Sequence, residues 1–76
     1  LNHIEIYSSD KCLECKKAKE YFDENNLEYI EHNVFKVIEA KRELIRMGYM
    51  SLPVIIINGN HILGFDLNRI KKLINE

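Results

Sequence analysis

The chain of 76 residues holds one compact unit and leaves no room for a second domain or an extended linker, so residues 1–76 read as a single domain. Net charge is -1 with 30% charged residues of both signs, which supplies neither the basic face that nucleic acid needs nor the polybasic run that an anionic membrane attracts. No apolar run approaches the roughly 20 residues of a membrane-spanning helix, and the opening Leu1-Asn2-His3-Ile4-Glu5 lacks the pattern of a signal peptide, so a cytoplasmic monomer is expected.

From His3 to Ser8 the chain alternates, with Ile4 and Ile6 on one face and His3, Glu5 and Tyr7 on the other; this predicts a first strand. Cys12 to about Asn25 contains no Gly or Pro, and Cys15, Ala18 and Phe22 recur at helical spacing opposite Lys16, Lys17, Lys19 and Glu20. The pattern predicts an amphipathic helix, with Asn25 and Asn26 suited to its stop. Leu27 to Val34 reads as a second strand, with His32 expected in a surface loop nearby. Lys36 to Met47 places Val37, Ala40, Leu44 and Met47 on one stripe and ends at Gly48, the marks of a second helix.

Pro53 opens Val54-Ile55-Ile56-Ile57, a run without a polar face that predicts a strand covered on both sides and central in a sheet. Asn58-Gly59 is a hairpin signal, returning through His61-Ile62-Leu63 on an exposed edge. Gly64 breaks the pattern, Asp66 is a candidate N-cap, and Leu67, Ile70, Leu73 and Ile74 give a last amphipathic helix. The order β-α-β-α-β-β-α predicts an α/β fold: a four-stranded mixed sheet, its first pair parallel and its last antiparallel, with helices packed on it.

Two cysteines, Cys12 and Cys15, cannot form the multi-bridge framework of small secreted domains, and a bridge across so short a loop removes little chain entropy. Chemistry explains them better. At a helix start, unpaired backbone N–H groups and the positive end of the macrodipole favour a thiolate, so Cys12 is expected to have a lowered pKa while Cys15, one turn on, faces inward. Disulfide exchange needs an exposed attacking thiolate and a second thiol to release the product, and the three-residue spacing supplies both. Lys11, Lys16 and Lys17 add positive potential, whereas Glu14 opposes it and is expected to raise the Cys12 pKa slightly, making the pair more reducing. The pair could instead be inert, or half of a zinc site, for which His3, His32 and His61 would be the further ligands without a matching spacing. Tyr7, Tyr21 and Tyr29 read as packing aromatics with wet hydroxyls.

These residues together resemble the glutaredoxins and their relatives in the thioredoxin superfamily. Ile4-Glu5-Ile6-Tyr7-Ser8 running into Cys12-Leu13-Glu14-Cys15 is similar to the family's first strand and active-site helix. Ser51-Leu52-Pro53-Val54 is similar to its Thr-Val-Pro segment, and Ile62-Leu63-Gly64-Phe65-Asp66 to its glycine-then-aspartate turn. The resemblance implies a thioredoxin fold with helices on both sheet faces, and a thiol-disulfide oxidoreductase acting through Cys12 and Cys15. It also implies a cis Leu52-Pro53 bond facing the cysteines, where residues alone would allow an ordinary strand-opening proline. By the same implication Leu52 offers backbone bonds to an extended substrate and Phe65 and Asp66 border the groove, with Lys11 and Pro53 beside them.

Leu13-Glu14 stands where dithiol glutaredoxins have Pro-Tyr, one glycine precedes Phe65-Asp66 where two are usual, and Leu67 replaces a second aspartate. The implied partners are disulfide-containing proteins, with glutathione or a thioredoxin-reductase-type reductant; no metal or organic cofactor is required. The competing reading is a redox-sensing or iron-sulfur-carrying binding module.

Overall fold

The computed structural model describes residues 1–75, and its elements follow the expected order. They are β1 (Ile4–Ser8), α1 (Leu13–Glu24), β2 (Ile30–Asn33), α2 (Ile38–Arg46), β3 (Val54–Ile57), β4 (Asn60–Leu63) and α3 (Leu67–Ile74). One mixed sheet runs in the order β2-β1-β3-β4, with β1 parallel to β2 and antiparallel to β3, and β3 antiparallel to β4. The all-branched strand β3 is internal, as its lack of a polar face requires.

Pleating sorts the side chains onto two layers. Ile4, Ile6, Ile55, Ile57 and Ile62 pack with Ala18 and Phe22 of α1 and Ile70 and Leu73 of α3. Tyr7 and Val54 pack with Leu44 of α2 on the other side, where Ile56, Leu52 and Tyr49 add partly buried surface. The helices therefore cover both faces, in the arrangement of the thioredoxin fold.

The helices α1 and α2 both stop at the residues suited to end them, and the closure of α1 shortens the strand after it. Asn26 is left-handed (φ 54°), its N–H donates to the Asp23 carbonyl at 3.2 Å, and the Leu27 N–H donates to the Phe22 carbonyl at 2.8 Å. This Schellman closure takes up Leu27, so β2 begins at Ile30 rather than at Leu27. The same pair of bonds, Gly48 to Ile45 and Tyr49 to Leu44, closes α2 and folds Tyr49 back over Leu44.

At its other end α2 starts at Ile38, two residues later than the pattern suggests. The Asn33 Oδ1 atom accepts the N–H groups of both Phe35 and Lys36 at 3.0 Å, holding them in a turn. Asn58 (φ 51°) and Gly59 (φ 84°) are both left-handed, the conformation a two-residue hairpin demands.

Two side-chain expectations are corrected. His32 is not in a loop: it lies in β2 opposite Tyr7, stacked on its ring at 4.5 Å, with Nε2 2.8 Å from Glu5 Oε1. The Tyr7 hydroxyl is not wet either, since the ring is buried and the O–H donates to Glu43 Oε2 at 3.0 Å. That alternation puts Tyr7 on the opposite face from Ile6 was legible; that α2 covers this face is a tertiary fact.

Candidate active site

Three loops meet at one end of the sheet: the residues entering α1, those entering β3, and those between β4 and α3. The first is set by Cys12, which has extended backbone (φ -92°, ψ 110°) and caps α1 with its own sulfur; Sγ accepts the Cys15 N–H at 3.1 Å. A sulfur held on a helix-start N–H, at the positive end of the macrodipole, is in the surroundings that favour its anionic form. Cys12 is half-buried, whereas Cys15 is 0% exposed. The two sulfurs are joined as a disulfide, with Cα atoms 5.2 Å apart.

The segment ahead of Cys12 is tied down. The Ser9 carbonyl accepts the Cys12 N–H at 3.4 Å, and Asp10 receives Asn33 Nδ2 at 3.0 Å and pairs with Lys36 at 3.3 Å. Lys36 and Asn33 hold the Asp10 carboxyl below its usual range. Asp10 is thus engaged away from the cysteines, while Lys11, Lys16 and Lys17 stay exposed around them.

Leu52-Pro53 is cis, with Pro53 buried and Leu52 half-buried. The Pro53 carbonyl accepts the Gly64 N–H at 2.9 Å, joining the second loop to the third. The next N–H along, that of Phe65, donates to Glu14 Oε1 at 3.2 Å, joining the third loop to the first. Gly64 is left-handed (φ 81°), and a Cβ there would lie 3.5 Å from that same Glu14 oxygen. Asp66 then caps α3, its side chain accepting the Arg69 N–H at 3.2 Å. Phe65 is half-buried against the core, with its ring tilted toward Tyr21 at 6.4 Å.

All seven residues singled out in the sequence, Lys11, Cys12, Cys15, Leu52, Pro53, Phe65 and Asp66, therefore belong to these three loops or to the first turn of α1. What the sequence did not single out is an apolar groove of about 310 Å³ beside them, lined among others by Ser9, Val34, Phe35, Ile45, Met50 and Leu52. Phe35 and Met50 are 74% and 98% exposed; a large apolar side chain off the helical stripe was the available signal. A wider depression of about 670 Å³ lies at the far end of α1, by Asp23 and Asn26, away from the cysteines. Among the described residues no three His, Cys, Asp or Glu side chains gather as a metal site would require, and no helix is long and apolar enough to cross a membrane.

A paired cysteine at a helix start, next to a cis-proline strand in this topology, defines a thiol-disulfide oxidoreductase of the thioredoxin superfamily. The glutaredoxin family model matches residues 4–62, and the chain belongs to that family. It is 39% identical over 74 residues to a glutaredoxin-like 8.6 kDa protein in the rubredoxin operon of Clostridium pasteurianum, covering 96% of this chain and 99% of that one. Among solved structures it is similar to the glutaredoxin-like protein NrdH-redoxin from Escherichia coli, with a TM-score of 0.83, 30% identity and 93% of each chain covered. It is also similar to the thioredoxin-like protein BC3987, with a TM-score of 0.84 and 31% identity over 92% of this chain and 97% of that one.

Proposed function

We propose that this oxidoreductase reduces disulfides of protein clients in the cytoplasm, and that its own disulfide is reset by a thioredoxin-reductase-type flavoprotein rather than by glutathione. The observation that carries the assignment of roles is the unequal exposure of the two cysteines, half-buried Cys12 and wholly buried Cys15. The Cys12 thiolate attacks one sulfur of the client disulfide, forming a mixed disulfide and releasing the first client thiolate. The Cys15 thiolate then attacks the Cys12 sulfur, the second client thiolate leaves, and two electrons have passed to the client. The external reductant returns them.

Around this step Leu52 offers its backbone to an extended client segment, and Pro53 fixes that backbone beside the sulfurs. Phe65 and Asp66 form the opposite wall, and Lys11 supplies positive potential to the departing thiolates. A polypeptide client is favoured by the apolar groove that runs from Ser9 to Leu52, since uncovered apolar surface of this kind suits a partner larger than a tripeptide. The similarity to NrdH-redoxin, a glutaredoxin-like protein with a thioredoxin-like activity profile, favours the flavoprotein as reductant.

The test is turnover of a protein disulfide such as that of insulin with two reducing systems. Turnover with NADPH and thioredoxin reductase, at least tenfold faster than with glutathione and its reductase, is expected. The reverse order would overturn the choice of reductant. Cys12→Ser should abolish turnover, and Cys15→Ser should retain only the formation of a mixed disulfide; activity surviving in Cys12→Ser would remove the assigned roles.

A further inference from the structure

We propose that Glu14 is a specificity-determining residue, a fixed negative charge at the mouth of the site that makes the chain react faster with cationic than with anionic disulfides. This selectivity rests on the exchange chemistry proposed for Cys12 and concerns which disulfides it takes. Glu14 is the second of the two residues between the cysteines, and its side chain is exposed yet not free to wander. The Phe65 N–H holds Oε1 at 3.2 Å, across 51 residues of sequence. Gly64 lies beside the carboxylate, where a Cβ would meet Oε1 at an ordinary contact distance of 3.5 Å, and its own N–H is committed to the Pro53 carbonyl. The anchor thus lies where the strand after Pro53 is hydrogen-bonded to the turn into α3.

The neighbouring charges are placed differently. Asp10 is drawn off by Lys36 and Asn33, and Asp66 spends an oxygen on the Arg69 N–H. Lys11, Lys16 and Lys17 are exposed side chains with four rotatable bonds, so their charge is spread through solvent rather than held at one point. Glu14 and Asp66 are the two carboxylates here that a backbone N–H holds, and of the two Glu14 is the one that stands between the cysteines. It also occupies the Phe65 N–H, a donor that an anionic group on a small substrate would otherwise find at the edge of the groove. Repulsion and prior occupancy act in the same direction, against anionic disulfides.

Charge can be separated from tethering, because a glutamine at this position still offers an oxygen to the Phe65 N–H. The chain reduced with dithiothreitol and desalted is mixed with cystamine, a dication, or with dithiodiglycolate, a dianion. Its oxidation to the Cys12–Cys15 disulfide is followed in a single turnover. The electrons come from the chain's two thiols and each disulfide leaves as two thiolates, so no further reductant enters. The ratio of the two rates cancels any change in the ionisation of Cys12, which is common to both.

In Glu14→Gln the cystamine preference should fall about threefold to tenfold at low ionic strength, the size expected for one unit charge roughly 6–9 Å from the substrate charge in a water-like medium. The difference should shrink by most of its value in about 1 M salt, where the Debye length is about 3 Å. A Glu14→Gln ratio within twofold of the parent, or a shift seen in Glu14→Ala but not in Glu14→Gln, would overturn the proposal, the latter by assigning Glu14 to tethering alone. A shift that ignores salt would overturn it equally. If neither disulfide oxidises the reduced chain, the exchange chemistry itself fails, an outcome distinct from equal rates with both.

Discussion

On the face covered by α1 and α3, Ile6, Ile55, Ile57 and Ile62 interlock with Phe22 and Ile70, all at or near zero exposure. On the face covered by α2 the buried cluster is Tyr7, Leu44 and Val54, and polar ties join it: Tyr7 to Glu43, and His32 to Glu5. The first face carries the fold, because apolar burial contributes most per residue and Phe22 contributes most of any single side chain there. The second is thinner and leaves Phe35, Ile45 and Met50 uncovered at the groove beside Leu52. Under the proposed function this is the face that receives the client; its apolar surface stays uncovered, and the Tyr7–Glu43 bond ties its helix to the sheet.

Truncations on the two faces test this division directly. Phe22→Ala should cost about 3–5 kcal/mol and Leu44→Ala about 2–3 kcal/mol. A domain of this size has about 4–11 kcal/mol in all, at 0.05–0.15 kcal/mol per residue. Both variants should therefore lose a large share of that margin, with the urea midpoint of Phe22→Ala falling further than that of Leu44→Ala. If Leu44→Ala proved the more damaging of the two, the roles of the faces would be reversed.

The same contrast governs what could be read in advance. Ile4, Ile6, Phe22 and Ile70 declare themselves by period, because a continuous apolar layer imposes a spacing on each element that lines it. Pro53, Gly64 and Asp66 were legible for another reason: each residue type has a narrow set of backbone roles. The α2 face was harder to read. His32 and Tyr7 pair only because β1 and β2 lie parallel in one register, and Glu43 reaches Tyr7 from 36 residues away. The tie of Glu14 to Phe65 is of the same kind, spanning 51 residues with no local pattern to announce it. The late start of α2 was hidden in one side-chain oxygen of Asn33.

Titration sharpens the comparison on the α2 side. Burial, then the hydrogen bond to Glu43, pushes the Tyr7 hydroxyl up to about 12. An unfolded tyrosine ionises near 10, so between about pH 10 and 12 the unfolded chain loses this proton and the folded chain does not. The stability Tyr7 contributes is complete below that window and is lost as pH rises through it. Tyr7→Phe should lower stability at neutral pH by about 1 kcal/mol for the lost hydrogen bond. Its urea midpoint should then fall less steeply than the parent's from pH 10 to 12. Parallel slopes would mean that Tyr7 ionises as freely in the folded state as in the unfolded one.

The smallest effect is expected at the rim of the other face, where Glu31 accepts Lys19 Nζ at 2.7 Å and the Ser8 hydroxyl at 2.6 Å. Lys19 first, and Ser8 second, hold the Glu31 carboxyl below its usual range. A carboxyl lowered on folding contributes stability above its unfolded pKa of about 4.3, and that contribution drains away as pH falls through the folded value. Glu31→Gln should therefore be slightly less stable than the parent at pH 7, and the two should converge as acid protonates Glu31. Lys19 and Glu31 are both partly exposed, so the gap should also narrow in about 1 M salt. Because Ile6 and Phe22 lie beneath this pair untouched, the variant should keep its full urea cooperativity. A loss of cooperativity would show that the rim, and not the apolar layer under it, fastens α1 to the sheet.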